Sequence, residues 1–224
     1  MGSGLLPLFA WLSPTFPIGS FAYSHGLEYV VLHGDIHDAN TLRSWLSDLL
    51  AHGAIRTDLI LASVVARSVL AQDIEELVRA SELALALSPT RERHLEITQQ
   101  GRSFLNMVRA AWPSVMLDRL FNASDEIAYP VAFGGAVGAH RLALGPSLSA
   151  YALQFASNLV SAVVRLGTVG QTDGQKVIAS LAQPAWRAAA FARRGKLDDL
   201  GAATFRLDIA SLRHETQYSR LFRS

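Results

Sequence analysis

The residues whose types and spacing could do chemistry are few in this chain. Ala22-Tyr23-Ser24-His25-Gly26 has the outline of a nucleophile elbow, with Ser24 in the attacking place. That motif needs a strand running into a sharp turn before a helix. Pro14, Pro17 and Gly19 precede it instead, so the segment reads as a helix N-terminus beginning near Ser20. GTVGQTDGQK, residues 167–176, has the look of a phosphate loop. A phosphate loop requires Gly-Lys-Ser/Thr, so that the lysine reaches phosphates and the hydroxyl reaches magnesium. Gln175 separates Gly174 from Lys176, and Val177 follows where the hydroxyl should stand. Gly134-Gly135-Ala136-Val137-Gly138 lacks the preceding strand of a dinucleotide fingerprint, so its glycines read as close-packing positions. No catalytic residue and no cofactor is expected.

Metal chemistry has equally little support. The chain contains no cysteine, which removes disulfides, thiolate nucleophiles and thiolate metal sites. Among seven histidines only His33 and His37 have ligand-like spacing. An i,i+4 pair serves a metal on a continuous helix, and Gly34 between them points to a turn. Solvated loop histidines are the plainer reading, and no metal site is assigned. Arg91, Arg93 and Arg102, together with Glu92 and Glu96, read as a salt-bridged solvent face.

The elements around these residues are helical. Asp38 caps a helix carrying Leu42, Trp45, Leu46 and Leu49, and Gly53 interrupts it. A second run covers 59–70, and a third starts from Asp73 with Leu77, Ala80, Ala84 and Leu87. Ser88-Pro89 reads as a cap with proline at the first helical position, opening a helix that carries Leu95, Thr98, Phe104, Leu105 and Val108 and ends before Pro113. Beyond Tyr129-Pro130 a short run reaches Leu144. A long helix then follows with Leu148, Tyr151, Phe155, Leu159, Ala162 and Leu166 in one stripe, and its small residues predict a central place. Residues 173–193 form another helix with a kink at Pro184, and 208–218 a last short one. Strand signals are absent. The expected fold is all-α: a single domain over 1–224, a bundle of about eight to ten helices, with an N-terminal strap at 1–19.

The bulk numbers limit the function classes. Of 224 residues, 50% are hydrophobic and 17% charged, enough for a large core. A net charge of +1, without clusters of Arg or Lys among aromatics, gives no basis for nucleic-acid binding. The apolar runs are broken by Arg67, Asp73 or Arg165, so none is expected to reach the ~20 residues of a membrane span. The N-terminus lacks the basic region of a signal peptide, and a cytoplasmic protein is expected.

Two segments resist a purely structural account. Residues 12–28, LSPTFPIGSFAYSHGLE, are rich in aromatics, proline and glycine and nearly uncharged until Glu28. Residues 211–224, SLRHETQYSRLFRS, put Tyr218, Leu221 and Phe222 beside Arg213, Arg220 and Arg223. Chain ends are usually polar and frayed, whereas exposed aromatic and Arg residues anchor protein interfaces. The tail 211–224 is therefore expected to bind a partner.

With YPVAFGGAVGAHRL (129–142) and RLGTVGQTDGQ (165–175), these two ends closely resemble the UreF-type urease accessory proteins over nearly the whole chain. The resemblance implies an all-α homodimer without enzymatic activity. It implies a bridge between a UreD/UreH-type accessory protein and the nickel-carrying GTPase UreG, in a complex that inserts nickel into apo-urease. It implies a C-terminal tail that orders on the UreD/UreH-type partner, with Arg220 of the RLF motif shaping the surface that recruits the GTPase. Tyr23 matches the N-terminal motif without an assigned contact. Partner-binding residues on this reading are Tyr23, Arg213, Tyr218, Arg220, Leu221 and Phe222. Two other readings stay open: GTPase activation by an arginine finger, Arg220 or Arg223, and direct nickel storage through His33 and His37.

Overall fold

The computed structural model describes residues 5–88, 90–121, 126–201, 209–210, 212–214 and 220–223. Among the described residues the chain forms ten α-helices and no strand. They are α1 (Leu6–Trp11), α2 (Leu27–Leu32), α3 (Ala39–His52), α4 (Ala54–Ala71), α5 (Ile74–Ala86), α6 (Arg91–Ala111), α7 (Val115–Leu120), α8 (Tyr129–Ala139), α9 (Leu144–Arg165) and α10 (Gln171–Ala192). Short 3₁₀ turns lie at Ser20–Ala22 and Leu197–Asp199. The all-α expectation holds.

Local chemistry sets the helix starts. The Asp38 carboxylate accepts from the Thr41 amide at 2.7 Å, and Thr41 Oγ1 accepts from the Asp38 amide at 3.1 Å, a reciprocal cap on α3. Asp73 caps α5 through the Glu76 amide at 3.0 Å. The start of α6 differs from expectation. Thr90, in extended backbone, accepts from the Arg93 amide at 3.0 Å and is the cap, while Pro89 lies outside the described residues. Pro184 sits inside a continuous α10. Ile209, Ala210 and 212–214 are helical, and the remaining ends of the expected last helix lie outside the described residues.

The centre of the bundle is α4 against α8, not α9 as its stripe predicts. Thirteen of the 18 residues of α4 and nine of the 11 of α8 are buried, against nine of 22 in α9. A helix apolar on all sides belongs in the interior. α9 packs along α10 and shows its other face to solvent. The run 39–71 and α9 are in fact long and apolar enough to cross a membrane, contrary to expectation. In the fold, 78% and 50% of their most apolar stretches are buried against protein, which accounts for their composition.

α4 and α8 touch backbone to backbone. A Cβ on Gly134 would collide with the Ala62 carbonyl oxygen, and one on Gly138 would lie 2.7 Å from the Ala66 carbonyl oxygen. Glycines at i and i+4 clear one face of α8 for this approach. Around this pair, Trp11 and Phe16 of the N-terminal segment pack on Phe104 of α6, with ring centroids 5.8 and 5.5 Å apart. Gly134→Ala or Gly138→Ala should each cost about 1–3 kcal/mol by forcing the helices apart. Thermal unfolding should show Tm falling by roughly 2–4 °C per kcal/mol; an unchanged Tm in both variants would refute the close approach.

Candidate functional site

Starting from the Thr90 cap, α6 turns Arg93, Glu96, Ile97, Gln100 and Phe104 to the protein side. Arg91 and Arg102 are exposed as expected, but Arg93 and Glu96 are not a solvent face, and Leu95 is exposed instead. Arg93 Nη2 donates to Asp58 Oδ2 of α4 at 2.9 Å, and its Nη1 lies 3.3 Å from Glu96 Oε2. Nη1 also faces His25 Nδ1 at 3.1 Å, and His25 Nε2 lies 3.1 Å from Glu96 Oε1. Gln100 Nε2 donates to the same Glu96 oxygen at 3.0 Å. Two carboxylates around one guanidinium make its burial tolerable.

Burial drives the protonation preferences here. It pushes the Glu96 and Asp58 carboxyls up, with the Arg93 charge opposing the rise in both. It holds His25 well below the usual imidazole range, and Arg93 adds to that effect. A guanidinium only donates, so Nδ1 of neutral His25 is the acceptor and its proton sits on Nε2, toward Glu96. His25 holds this place with φ at 54°, in the left-handed region that histidine enters more readily than most residues other than glycine. The cavity bordered by His25, Asp58, Arg93, Glu96 and Tyr151 measures about 30 Å³. That is room on the scale of a water molecule, far below the several hundred Å³ of a substrate pocket. The cluster ties the 20–28 segment to α4 and α6.

The other weak motifs resolve structurally. Ser24 is fully buried after a 3₁₀ turn, and its Oγ accepts from the Glu28 amide at 3.3 Å, so the exposed serine of an elbow is missing. Lys176 pairs with Asp173 at 2.9 Å on the exposed side of α10. His33 stacks on Tyr29 and His37 Nδ1 faces the Gly34 carbonyl in an exposed loop. Among the described residues no group of three or more His, Asp or Glu is arranged to hold a metal.

The two unexplained ends meet beside this cluster. The Glu28 carboxylate on α2 accepts from the Leu221 amide at 2.7 Å and from the Phe222 amide at 3.0 Å. His214, wholly buried, places Nε2 3.2 Å from Glu28 and Nδ1 3.1 Å from Glu92 of α6. Arg220 Nη1 donates to Glu92 at 2.5 Å. The Arg223 amide donates to the Ala22 carbonyl at 2.8 Å. The Tyr23 hydroxyl donates to Gln99 at 2.8 Å. Burial raises the Tyr23 phenol, and the nearby Arg223 opposes the rise. The Arg165 guanidinium lies 4.5 Å over the Phe222 ring and donates to the Phe21 carbonyl at 2.7 Å.

Tyr23, Arg220, Leu221 and Phe222 are thus brought together. Phe222 differs from the expectation of an exposed aromatic: it is 4% exposed, whereas Leu221 is 64% exposed. Arg213 is exposed on the turn that carries His214, and Tyr218 lies outside the described residues. Sequence reasoning missed Glu28, Glu92, His214 and Arg165. For Glu28 a signal existed, a lone carboxylate closing an otherwise uncharged stretch.

Removing one member of the buried charge cluster should unbalance the rest. Glu96→Ala should cost about 3–5 kcal/mol, because it strands part of the Arg93 charge. Arg91→Ala and Arg102→Ala on the exposed side of α6 should stay within about 0.5 kcal/mol. Chemical denaturation of the three variants checks this, and equal effects would put Glu96 at the surface.

The family model described as UreF matches residues 36–182. The urease accessory protein UreF of Methylorubrum populi is 51% identical over 220 residues, covering 98% of this chain and 98% of the relative. That of Methylobacterium radiotolerans is 52% identical over 223 residues, covering 98% and 96%. That of Xanthobacter autotrophicus is 54% identical over 222 residues, covering 98% and 91%. With half the positions identical from end to end in an all-α fold, the chain belongs to the UreF family of urease accessory proteins.

Proposed function

We propose that this chain is a non-catalytic scaffold in urease maturation. It joins a UreD/UreH-type accessory protein to a UreG-type GTPase on apo-urease, working as a homodimer so that nickel is inserted. The observation that carries the reading is the make-up of the joined ends. Leu221 is left exposed, Arg220 stands at the surface, and Phe222 anchors the segment from beneath. An exposed apolar side chain beside an arginine, set on a fixed backbone, is what a protein interface uses. The internal charges serve the fold, and the cavity beside them is of water size. Nickel is cargo of the assembled complex in this reading, not a ligand of the His33 and His37 loop.

The arginine-finger reading is weaker on one specific ground. The Arg220 guanidinium is committed to Glu92, and a finger must leave its partner to reach a phosphoryl group.

Arg220→Ala should weaken GTPase recruitment about tenfold or more while leaving thermal unfolding unchanged. Co-purification from the reconstituted complex reads this, and normal recruitment would sink the assignment. Single-turnover GTP hydrolysis in the assembled complex separates recruitment from a finger. A loss in the chemical step of about 10³-fold or more, at saturating partner, would favour the finger.

A further inference from the structure

A groove of about 820 Å³ lies between α3 and α10, with the first turn of α4 at one end. We infer that this groove is a second docking site, and that its occupant is an acidic segment of a partner protein that also carries apolar side chains. None of its lining residues belongs to the surface made by the joined ends. The inference therefore goes beyond the scaffold reading, and it is tested apart from Arg220.

Helix periodicity builds the groove from both sides. On α10, Pro184, Ala188 and Phe191 recur at the spacing of one helical face. Opposite them, Leu50 and Ala51 of α3 complete an apolar floor. Phe191 stands at the rim and is 51% exposed. The Arg56 guanidinium lies 4.6 Å from the centre of that ring, and its Nη1 donates to the Gly201 carbonyl at 3.1 Å. Arginine and aromatic thus hold each other in place. Such a pair beside an apolar floor has the make-up of an interface anchor. The volume is in the range that accepts several side chains, unlike the water-sized cavity at His25.

Charge selects the occupant. Arg56 and Arg187 line the groove against one carboxylate, Asp48. Beyond Phe191 a second cleft sets Arg193 and Arg194 against Asp199, whose carboxylate is engaged by the Lys196 amide at 2.9 Å. Among the described residues none of these four arginines makes an ion pair. Four guanidiniums against two carboxylates is a local excess of positive charge on a chain whose formal net charge is only +1. Guanidiniums without a carboxylate of their own, beside an exposed aromatic, complement carboxylates that arrive with apolar side chains. A nucleic-acid strand fits less well. Asp48 and Asp199 would repel its phosphates, and Phe191 is the one Phe, Tyr or Trp among the described residues lining the two clefts.

Fluorescence anisotropy on the full chain tests the groove, with a short labelled peptide of Glu, Asp and Leu as the probe. Binding should saturate, and it should weaken as salt is raised. Arg187→Glu and Phe191→Ala should each weaken it about tenfold or more. Arg102→Glu, the same change of charge on the exposed side of α6, should leave it within about twofold. Both groove positions are exposed, and far-UV circular dichroism checks that each variant keeps its helix content. Peptides with Lys in place of the acids, or Ser in place of the leucines, should bind about tenfold more weakly. Absence of saturable binding, equal binding of the Lys or Ser peptide, tighter binding of an oligothymidine strand, or unchanged binding in both groove variants would each overturn the inference. Arg220-dependent GTPase recruitment in a chain that binds no acidic peptide would refute the groove alone and leave the scaffold reading standing.

Discussion

The contact on which the rest depends is the backbone approach of α4 to α8. Because Gly134 and Gly138 present no side chain to α4, the two helices pack nearer than larger residues would permit. Neither then has a face left for water, which explains why α4 is buried nearly all round. The other helices cover this pair: α6 lies along α8, α5 along α4, and α9 with α10 closes the far side. Tight packing of this kind transmits small changes of volume, so the outer helices take their positions from it.

α6 links that core to the two chain ends. Glu92, Arg93 and Glu96 lie within about one helical turn of each other. Arg93 and Glu96 reach inward to Asp58 and His25, while Glu92 reaches sideways to His214 and Arg220. The 20–28 segment runs across both sets. It gives His25 to the core, Tyr23 to Gln99, and Glu28 to the tail. Core and tail are therefore joined through one short segment and one turn of helix. Buried charge is the adhesive in each place, tolerated because every carboxylate is paired with a donor and Glu96 and Glu28 with several.

For a urease accessory protein this arrangement makes sense as a way of presenting a surface. The chain ends gather at one site, and the aromatic that would be most exposed in a free tail is instead its anchor.

The sequence by itself determined the helical class, the caps at Asp38 and Asp73, and the close-packing character of the central glycines, because these depend on local periodicity and on donors a few residues away. It also marked both chain ends as unlike ordinary termini. Tertiary structure alone decided that Arg93 and Glu96 face inward, since a charge on a helix looks solvated until its partners Asp58 and His25 arrive from elsewhere in the chain. It moved the centre of the bundle from α9 to α4 and α8, because burial depends on what covers a face, not on how apolar that face is. And it brought Glu28 to Leu221 and Phe222: a buried carboxylate and two backbone amides nearly two hundred residues apart carry no mutual pattern, and only the folded chain places donor against acceptor.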